Sequence, residues 1–142
     1  MDAPILDQVN IVVSDMEASV EFYRLLGLDI PDTAPAWQAH HRTATSHGVD
    51  IDFDSAEFAQ RWNKGSGGVS ANSSVLGFRL ASRQAVDEMY NRVVSAGYGT
   101  QQEPYDTFWG SRYAIVEDPD GNPVGLMSPS DPARRSSVHP PE

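Results

Sequence analysis

Near the start of the chain, apolar and polar residues alternate as they do in a half-buried strand, over Ile5–Val13. One face of this strand is apolar and the other mainly polar, with Val9, Ile11 and Val13 on the first and Gln8, Asn10 and Val12 on the second. The next residues, Ser14-Asp15-Met16-Glu17, form a capping box, so a helix is predicted to start there. An apolar stripe continues to Leu26, and Gly27 is placed to end the helix.

Three further strands are predicted in the first half of the chain, at Leu28–Ile30, Ala36–Thr45 and Val49–Phe53. Pro31 stops the first of them, and Gly48 lies in the turn between the other two. The segment 63–74 is rich in Gly and Ser and has no apolar periodicity, so it is predicted to be a flexible linker.

The same order of patterns begins again after the linker. Ser82 is predicted to cap a helix that ends at Gly97, and the predicted strands are Val75–Leu80, Tyr98–Gln102, Trp109–Val116 and Val124–Met127. A shift of 67 residues superposes the two halves, with Val9 on Leu76, Phe22 on Met89 and Tyr23 on Tyr90. The sequence therefore predicts two similar modules, residues 1–62 and 75–129, and a Pro-, Ser- and Arg-rich mobile tail, residues 130–142.

Composition limits the classes of function. The chain has 142 residues, 39% of them hydrophobic, which is enough for a packed interior. Its formal net charge of −10 argues against binding to nucleic acid or to an anionic membrane surface and is compatible with a cationic small ligand. There is no cysteine, hence no disulfide, thiolate metal site or cysteine nucleophile. The sequence shows neither an apolar run of membrane-spanning length nor a secretory signal, so a cytoplasmic location is expected.

The second module ends in a distinctive hairpin, from Trp109 to Met127. Apolar runs flank the turn Asp118-Pro119-Asp120-Gly121-Asn122, in which Gly121 supplies a positive φ. This hairpin closely resembles the C-terminal hairpin of the vicinal oxygen chelate superfamily, the group of glyoxalases, bleomycin-resistance proteins and extradiol dioxygenases. The opening strand with Glu21-Phe22-Tyr23 and Leu26-Gly27-Leu28 carries the same resemblance, which covers about residues 6–129.

The resemblance implies an α+β fold in which two βαβββ modules in tandem form a curved mixed sheet around a cleft. In such folds each module covers one face of its sheet with its helix and turns the other face toward the cleft. A homodimer is expected as well, because the exposed sheet edges of each module need cover.

Metal-dependent members of the superfamily place one metal ligand on the first and one on the last strand of each module. The resemblance aligns these positions with Gln8, Asp52, Val75 and Gly125. A histidine is usual at the third position, and a glutamate binds the ion at the fourth. Two donors, one of them a neutral amide, are too few to retain a divalent transition metal, so no metal cofactor is predicted at this place.

Without an ion, the cleft is expected to bind a small molecule through aromatic and polar side chains. Trp109-Gly110 matches a Trp-Gly pair of bleomycin-type resistance proteins, whose indole ring stacks on the drug. An indole offers a large contact area and attracts cations to its face. No catalytic residue is assigned, and the predicted ligand-binding residues are Gln8, Asn10, Trp37, His41, Asp52, Arg79, Trp109, Arg112 and Met127.

The leading hypothesis is therefore a binding protein of the bleomycin-resistance kind. It would hold a small aromatic, cationic molecule in a metal-free cleft, as in the sequestration of an antibiotic. Val75 and Gly125, together with the retained Trp109, favour this hypothesis.

Two other functions stay open at the level of sequence. The first is a divalent-metal-dependent lyase, isomerase or dioxygenase with a displaced metal site, built from Gln8, Asp52 and one of His40, His41 or His47. His40 and His41 cannot both join such a site, because adjacent strand residues point to opposite faces. The second is a metal-free enzyme or a protein-partner module on the same scaffold.

Overall fold

The computed structural model of the protein describes residues 3, 6, 8–62 and 74–137. Its elements are β1 (Gln8–Val13), α1 (Met16–Leu25), β2 (His41–Ser46), β3 (Val49–Ser55), α2 (Ala56–Trp62), β4 (Leu76–Arg79), α3 (Arg83–Ser95), β5 (Thr100–Asp106), β6 (Arg112–Glu117), β7 (Pro123–Met127) and a 3-10 turn (Pro132–Arg134). The chain divides into unit 1, Met1–Ala71, and unit 2, Asn72–Glu142. The predicted α+β class is confirmed, whereas the predicted linker lies outside the described residues except for Ser74.

The sheet of unit 1 has the strand order β1-β3-β2, with β1 parallel and β2 antiparallel to β3. Helix α1 covers one face of this sheet, where the Tyr23 ring lies 4.9 Å from the Phe53 ring, centroid to centroid. Phe22, Tyr23 and Phe53 are fully buried, as the apolar stripe predicted for the helix requires. The opposite face of the sheet is mainly polar.

The sheet of unit 2 has the strand order β4-β7-β6-β5, and only the pair β4–β7 is parallel. Helix α3 lies against β5, β6 and β7. Val86 and Val93 of this helix are fully buried, as are Ala114 and Val116 on β6. The hairpin turn forms as predicted, with Gly121 at φ +79°.

The repeat seen in the sequence is present at the helix starts. Asp15 caps α1 and accepts a hydrogen bond from the backbone N–H of Ala18 at 3.1 Å. Ser82 caps α3 and accepts from the N–H of Ala85 at the same distance, 3.1 Å. Each residue of the second pair follows its counterpart by 67 positions, the shift that superposes the two halves of the sequence.

The two units differ in the segment that follows the first helix. Unit 2 forms β5 there, but the strand predicted at Leu28–Ile30 is irregular backbone, and the strand predicted from Ala36 begins only at His41. The backbone carbonyls that a neighbouring strand would use accept hydrogen bonds from arginine side chains instead. Arg24 donates to the carbonyl of Ile30, and the buried Arg42 donates to the carbonyl of Pro31 at 3.1 and 3.2 Å. Pro31 and Pro35 also lack the N–H groups that a strand ladder needs.

The segment expected to be a tail begins with ordered contacts. The N–H of Asp131 donates to the carbonyl of Gly110 at 2.9 Å, and the N–H of Ser136 donates to that of Phe108 at 2.9 Å. Residues 131–136 are therefore hydrogen-bonded to the loop 107–111. Trp109 lies in this loop and not in a strand, because β6 begins at Arg112, three residues after the predicted start. Among the described residues, no helix combines the length and the apolar character needed to cross a membrane.

Candidate functional site

The face of the unit 1 sheet that points away from α1 is lined by polar side chains from three strands. The strand register sets Asn10 beside Asp52, and Asp52 beside Thr43. Because side chains alternate along each strand, every second residue joins the same face. We call this surface the acidic face; it comprises Gln8, Asn10, Val12, His41, Thr43, Thr45, Asp50, Asp52 and Asp54.

Asp54 is the fixed centre of the acidic face. Its side chain is only 1% exposed, and its carboxylate accepts from Asn10 Nδ2 at 2.9 Å and contacts His41 Nδ1 at 2.5 Å. Gln8 Nε2 in turn donates to Asn10 Oδ1 at 3.1 Å. A carboxylate can only accept, so Nδ1 of His41 carries the proton in this contact. Asp54 therefore orients the His41 ring.

Thr43 connects His41 to a second carboxylate. Its hydroxyl donates to Asp52 Oδ1 at 2.8 Å, and its oxygen lies 3.3 Å from His41 Nε2. A hydroxyl has a single proton. Since that proton goes to Asp52, Thr43 does not donate to His41.

A pocket of about 330 Å³ opens beside this network, lined by Thr33, Trp37, His41 and Phe58. The Phe58 ring stands edge-on to both of its aromatic neighbours, 5.2 Å from Trp37 and 5.4 Å from His41 between centroids. Phe58 comes from α2, and Trp37 from the turn before β2. The pocket is thus made by two segments whose local structure the apolar pattern did not predict.

In unit 2, the face of the sheet that points away from α3 is aromatic and apolar. The register sets Tyr113 beside both Tyr105 and Met127, and Ile115 beside Gly125. The Tyr113 ring lies 6.2 Å from Tyr105 and 5.9 Å from Trp109, and Trp109 lies 5.1 Å from Phe108. We call this the aromatic face; it comprises Tyr105, Phe108, Trp109, Tyr113, Ile115, Gly125 and Met127, with Arg79 at the adjoining edge strand.

The Tyr113 side chain fills the space above Gly125. A Cβ added at Gly125 would lie 2.9 Å from the phenol oxygen and 3.2 Å from Cε1 of the same ring. Burial, and to a lesser extent the neighbouring Tyr105, raises the pKa of the Tyr113 phenol above its ordinary value. The group above Gly125 is therefore a neutral phenol at physiological pH.

The structure gathers most of the predicted ligand-binding residues on these two surfaces. On unit 1 lie Gln8, Asn10, His41 and Asp52, with Trp37 at the pocket; on unit 2 lie Trp109, Met127 and Arg79. Arg112 does not join them. It points to the α3 side, where its guanidinium binds Asp87 at 2.9 Å and Asp106 at 3.3 Å.

Among the residues that shape these surfaces, the predicted ligand-binding set lacks Thr43, Asp54, Phe58 and Tyr113. Asp54 continues the alternation of Asp50 and Asp52, so its face could have been assigned from the sequence. Phe58 and Tyr113 could not, because their positions depend on an unpredicted helix and on the register between β6 and β7.

A family model described as the Glyoxalase/Bleomycin resistance protein/Dioxygenase superfamily matches residues 5–126. The chain belongs to this superfamily. No curated protein matches the chain.

Solved structures of the superfamily share the fold of this chain. A glyoxalase/bleomycin resistance protein/dioxygenase family enzyme from Burkholderia phytofirmans PsJN is 23% identical, with a TM-score of 0.75 over 87% of this chain and 97% of that one. A glyoxalase-related enzyme from Fulvimarina pelagi is 18% identical, with a TM-score of 0.74 over 96% and 99% of the two chains. Lactoylglutathione lyase from Agrobacterium tumefaciens is 17% identical, with a TM-score of 0.67 over 90% and 96%. At these identities the likeness establishes the fold.

The residues of this member do not fit the metal site implied by the resemblance. Gly125 has no donor atom, and the Tyr113 ring stands where a longer side chain would extend. Gln8 lies beside Asp50 on β3 rather than beside Asp52, whose carboxylate is held by Thr43. Within 8–62 and 74–137, no three His, Asp or Glu side chains are grouped so that they could hold an ion.

Proposed function

We propose that this superfamily member binds a small aromatic molecule without a metal ion, in the manner of a bleomycin-resistance protein that sequesters an antibiotic. One observation carries the proposal. The Tyr113 ring covers Gly125 and adds aromatic surface at the position where metal-dependent relatives carry a glutamate.

The aromatic face supplies the contact area that such a ligand needs. Phe108 and Tyr105 are 48% and 39% exposed, so their rings are available to a planar molecule. Aromatic side chains bind at a low entropic cost, because only two χ angles are ordered. The net charge of −10 makes a cationic aromatic ligand more favourable than an anionic one.

A protein that keeps Trp109 as its single tryptophan tests this proposal. In the variant Trp37→Phe/Trp62→Phe, metal-free bleomycin and a panel of planar aromatic antibiotics are titrated while Trp109 fluorescence is recorded. We expect saturable quenching by at least one compound, with the same Kd in the presence of EDTA. Tyr105→Ala should weaken that binding about tenfold through loss of an aromatic contact, whereas Tyr90→Ala on α3 should leave it unchanged.

Two outcomes would contradict the proposal. The first is the absence of saturable quenching across the whole panel. The second is quenching that disappears with EDTA and returns with Zn²⁺, Ni²⁺, Fe²⁺ or Mn²⁺, which would instead favour a divalent-metal-dependent lyase, isomerase or dioxygenase.

A further inference from the structure

We propose that unit 2 binds the carboxylate of an aromatic acid above Gly77, between the guanidinium of Arg79 and the hydroxyl of Tyr113. We call the space above Gly77 the glycine notch. The inference rests on the proposed function and makes its ligand specific: the small aromatic molecule carries an acidic group. Arg79 and Tyr113 then determine which aromatic molecules are bound.

Two neighbouring glycines form the floor of the notch. Gly77 on β4 is the register partner of Gly125 on β7. A Cβ at Gly77 would meet no atom within 4 Å, whereas the space above Gly125 is filled by the Tyr113 ring. Neighbouring strands lie about 4.8 Å apart. The phenol oxygen above Gly125 therefore stands at one side of the open space above Gly77.

Arg79 borders the same space. It follows Gly77 by two positions on β4, so its side chain is on the same face, about 6.6 Å further along the strand. Its register partner is Met127, and the next partner across the sheet is Tyr113. An arginine side chain is long enough to span the distance from Arg79 to the notch. The guanidinium and the phenol can thus reach one bound group.

Both side chains have hydrogen-bond donors to offer. Arg79 is exposed, and with the residues that the structure describes it forms neither an ion pair nor a hydrogen bond. The Tyr113 hydroxyl likewise has no hydrogen-bond partner in the described part of the chain. Burial raises the pKa of this phenol, so it keeps its proton at neutral pH. A carboxylate accepts through two oxygens, one for each donor.

The charge at the notch differs from that of the whole chain. The net charge of −10 acts through solvent, where it is screened over about 8 Å at physiological ionic strength, whereas Arg79 contacts the ligand directly. Glu117 lies on the same face, but it pairs with Pro123, at the other end of β7 from the partner of Arg79, and accepts from Gln101 Nε2 at 3.1 Å. A cationic group of the ligand therefore lies away from the notch.

The ring of such a ligand has a surface next to the notch. Met127 and Tyr113 lie between Arg79 and Tyr105 in one row across the four strands. Aromatic rings bind favourably to a thioether and to another ring. A ring bound over Met127 and Tyr113 directs an attached carboxylate toward Arg79.

NMR titration of the ¹⁵N-labelled protein at neutral pH tests the site with three planar probes of similar size: 2-naphthoate, 2-naphthamide and 2-naphthylmethylammonium. We expect naphthoate to shift the amide signals of Gly77 and Gly125 saturably. It should bind about tenfold more tightly than naphthamide, because a hydrogen bond between charged groups is stronger than one to a neutral acceptor. Naphthylmethylammonium should bind no more tightly than naphthamide.

Matched variants locate the carboxylate. Arg79→Gln should weaken naphthoate binding about tenfold and leave naphthylmethylammonium binding unchanged. Arg92→Gln is the control, because it removes the same charge from an exposed arginine of α3, and it should have no effect. Tyr113→Phe keeps the ring over Gly125 and removes the hydroxyl, so it should weaken naphthoate and naphthamide about threefold. The NMR spectrum of each variant shows whether it is folded.

Several results would overturn this inference and leave the proposed function in place. They are naphthoate that binds no more tightly than naphthamide, naphthoate that binds without shifting Gly77 and Gly125, equal effects of Arg79→Gln and Arg92→Gln, or unchanged binding in Tyr113→Phe. Absence of binding by all three probes would also overturn it. The proposed function fails separately, when the antibiotic panel gives no saturable quenching of Trp109.

Discussion

The phenol oxygen of Tyr113 lies 2.9 Å from the point that a Cβ of Gly125 would occupy. The two residues belong to neighbouring antiparallel strands, β6 and β7, in which Ile115 is the direct partner of Gly125. The Tyr113 side chain thus reaches diagonally across the sheet to cover the glycine. Both residues depend on this arrangement, because the ring can lie there only where no side chain stands beneath it.

We therefore predict that Gly125→Ala destabilises the protein by about 1–3 kcal/mol, because the added methyl group must displace the Tyr113 ring. The same substitution in a Tyr113→Ala background should cost much less, since the space above position 125 is then empty. Urea unfolding of the four proteins gives the coupling energy, expected at about 1 kcal/mol or more. Additive effects of the two substitutions would show that the ring does not depend on the glycine.

This arrangement also shows where prediction from sequence stops. The β6–β7 hairpin, its turn at Gly121 and the absence of a donor at Gly125 could all be read from local patterns. The position of Tyr113 above Gly125 could not, because it depends on how two strands align and on the direction of one side chain. Local patterns fix which face a residue takes but not its neighbour on the next strand.

Unit 1 shows the same limit for the chain between its first helix and its second strand. The β1 alternation and the helix that ends before Gly27 were predictable because their periods are regular. In this segment the sequence predicts one strand at Leu28–Ile30 and another from Ala36 onward, but no strand forms before His41. Its actual path is set by the long-range hydrogen bonds of Arg42, a buried charge that no local pattern indicates.

A second prediction concerns the buried carboxylate of the acidic face. Asp54→Ala leaves Asn10 and His41 without their common acceptor and should destabilise the protein by about 3–5 kcal/mol. Asp50→Ala, on the same strand and face, removes a single bond from Thr45 and should cost less than about 1 kcal/mol. Urea unfolding monitored by circular dichroism compares the two. Equal losses of stability in the two variants would show that burial does not increase the contribution of the Asp54 hydrogen bonds to the free energy of unfolding.

A third prediction concerns pH and Asp32. The hydrogen bond from Gln38 and, next, that from Arg24 hold the pKa of this carboxyl below its ordinary value of 3.8. A lowered pKa in the folded state means that the charged carboxylate stabilises the fold above the unfolded-state pKa, and that this contribution is lost as the pH falls through the folded-state pKa. The stability advantage of the wild type over Asp32→Asn should therefore be constant near neutral pH and shrink below about pH 4.

Urea unfolding between about pH 6 and about pH 3 measures this change. Asp29→Asn is the control, because Asp29 is exposed in the same segment and makes no ion pair with a described residue. If the two variants had the same pH profile, the contacts of Asp32 with Gln38 and Arg24 would not contribute to acid sensitivity.

A fourth prediction concerns the loop that carries Trp109. Gly110 has φ +92°, and a Cβ there would collide with the carbonyl of Asp131. Gly110→Ala should cost about 1–2 kcal/mol for the left-handed conformation and should also detach residues 131–136 from the loop. Trypsin should then cleave after Arg134 and Arg135 several times faster than in the wild type. Gly77→Ala is the matched control, because Gly77 has open space around its Cβ position. Unchanged cleavage in Gly110→Ala would mean that this glycine does not hold the C-terminal segment against the loop.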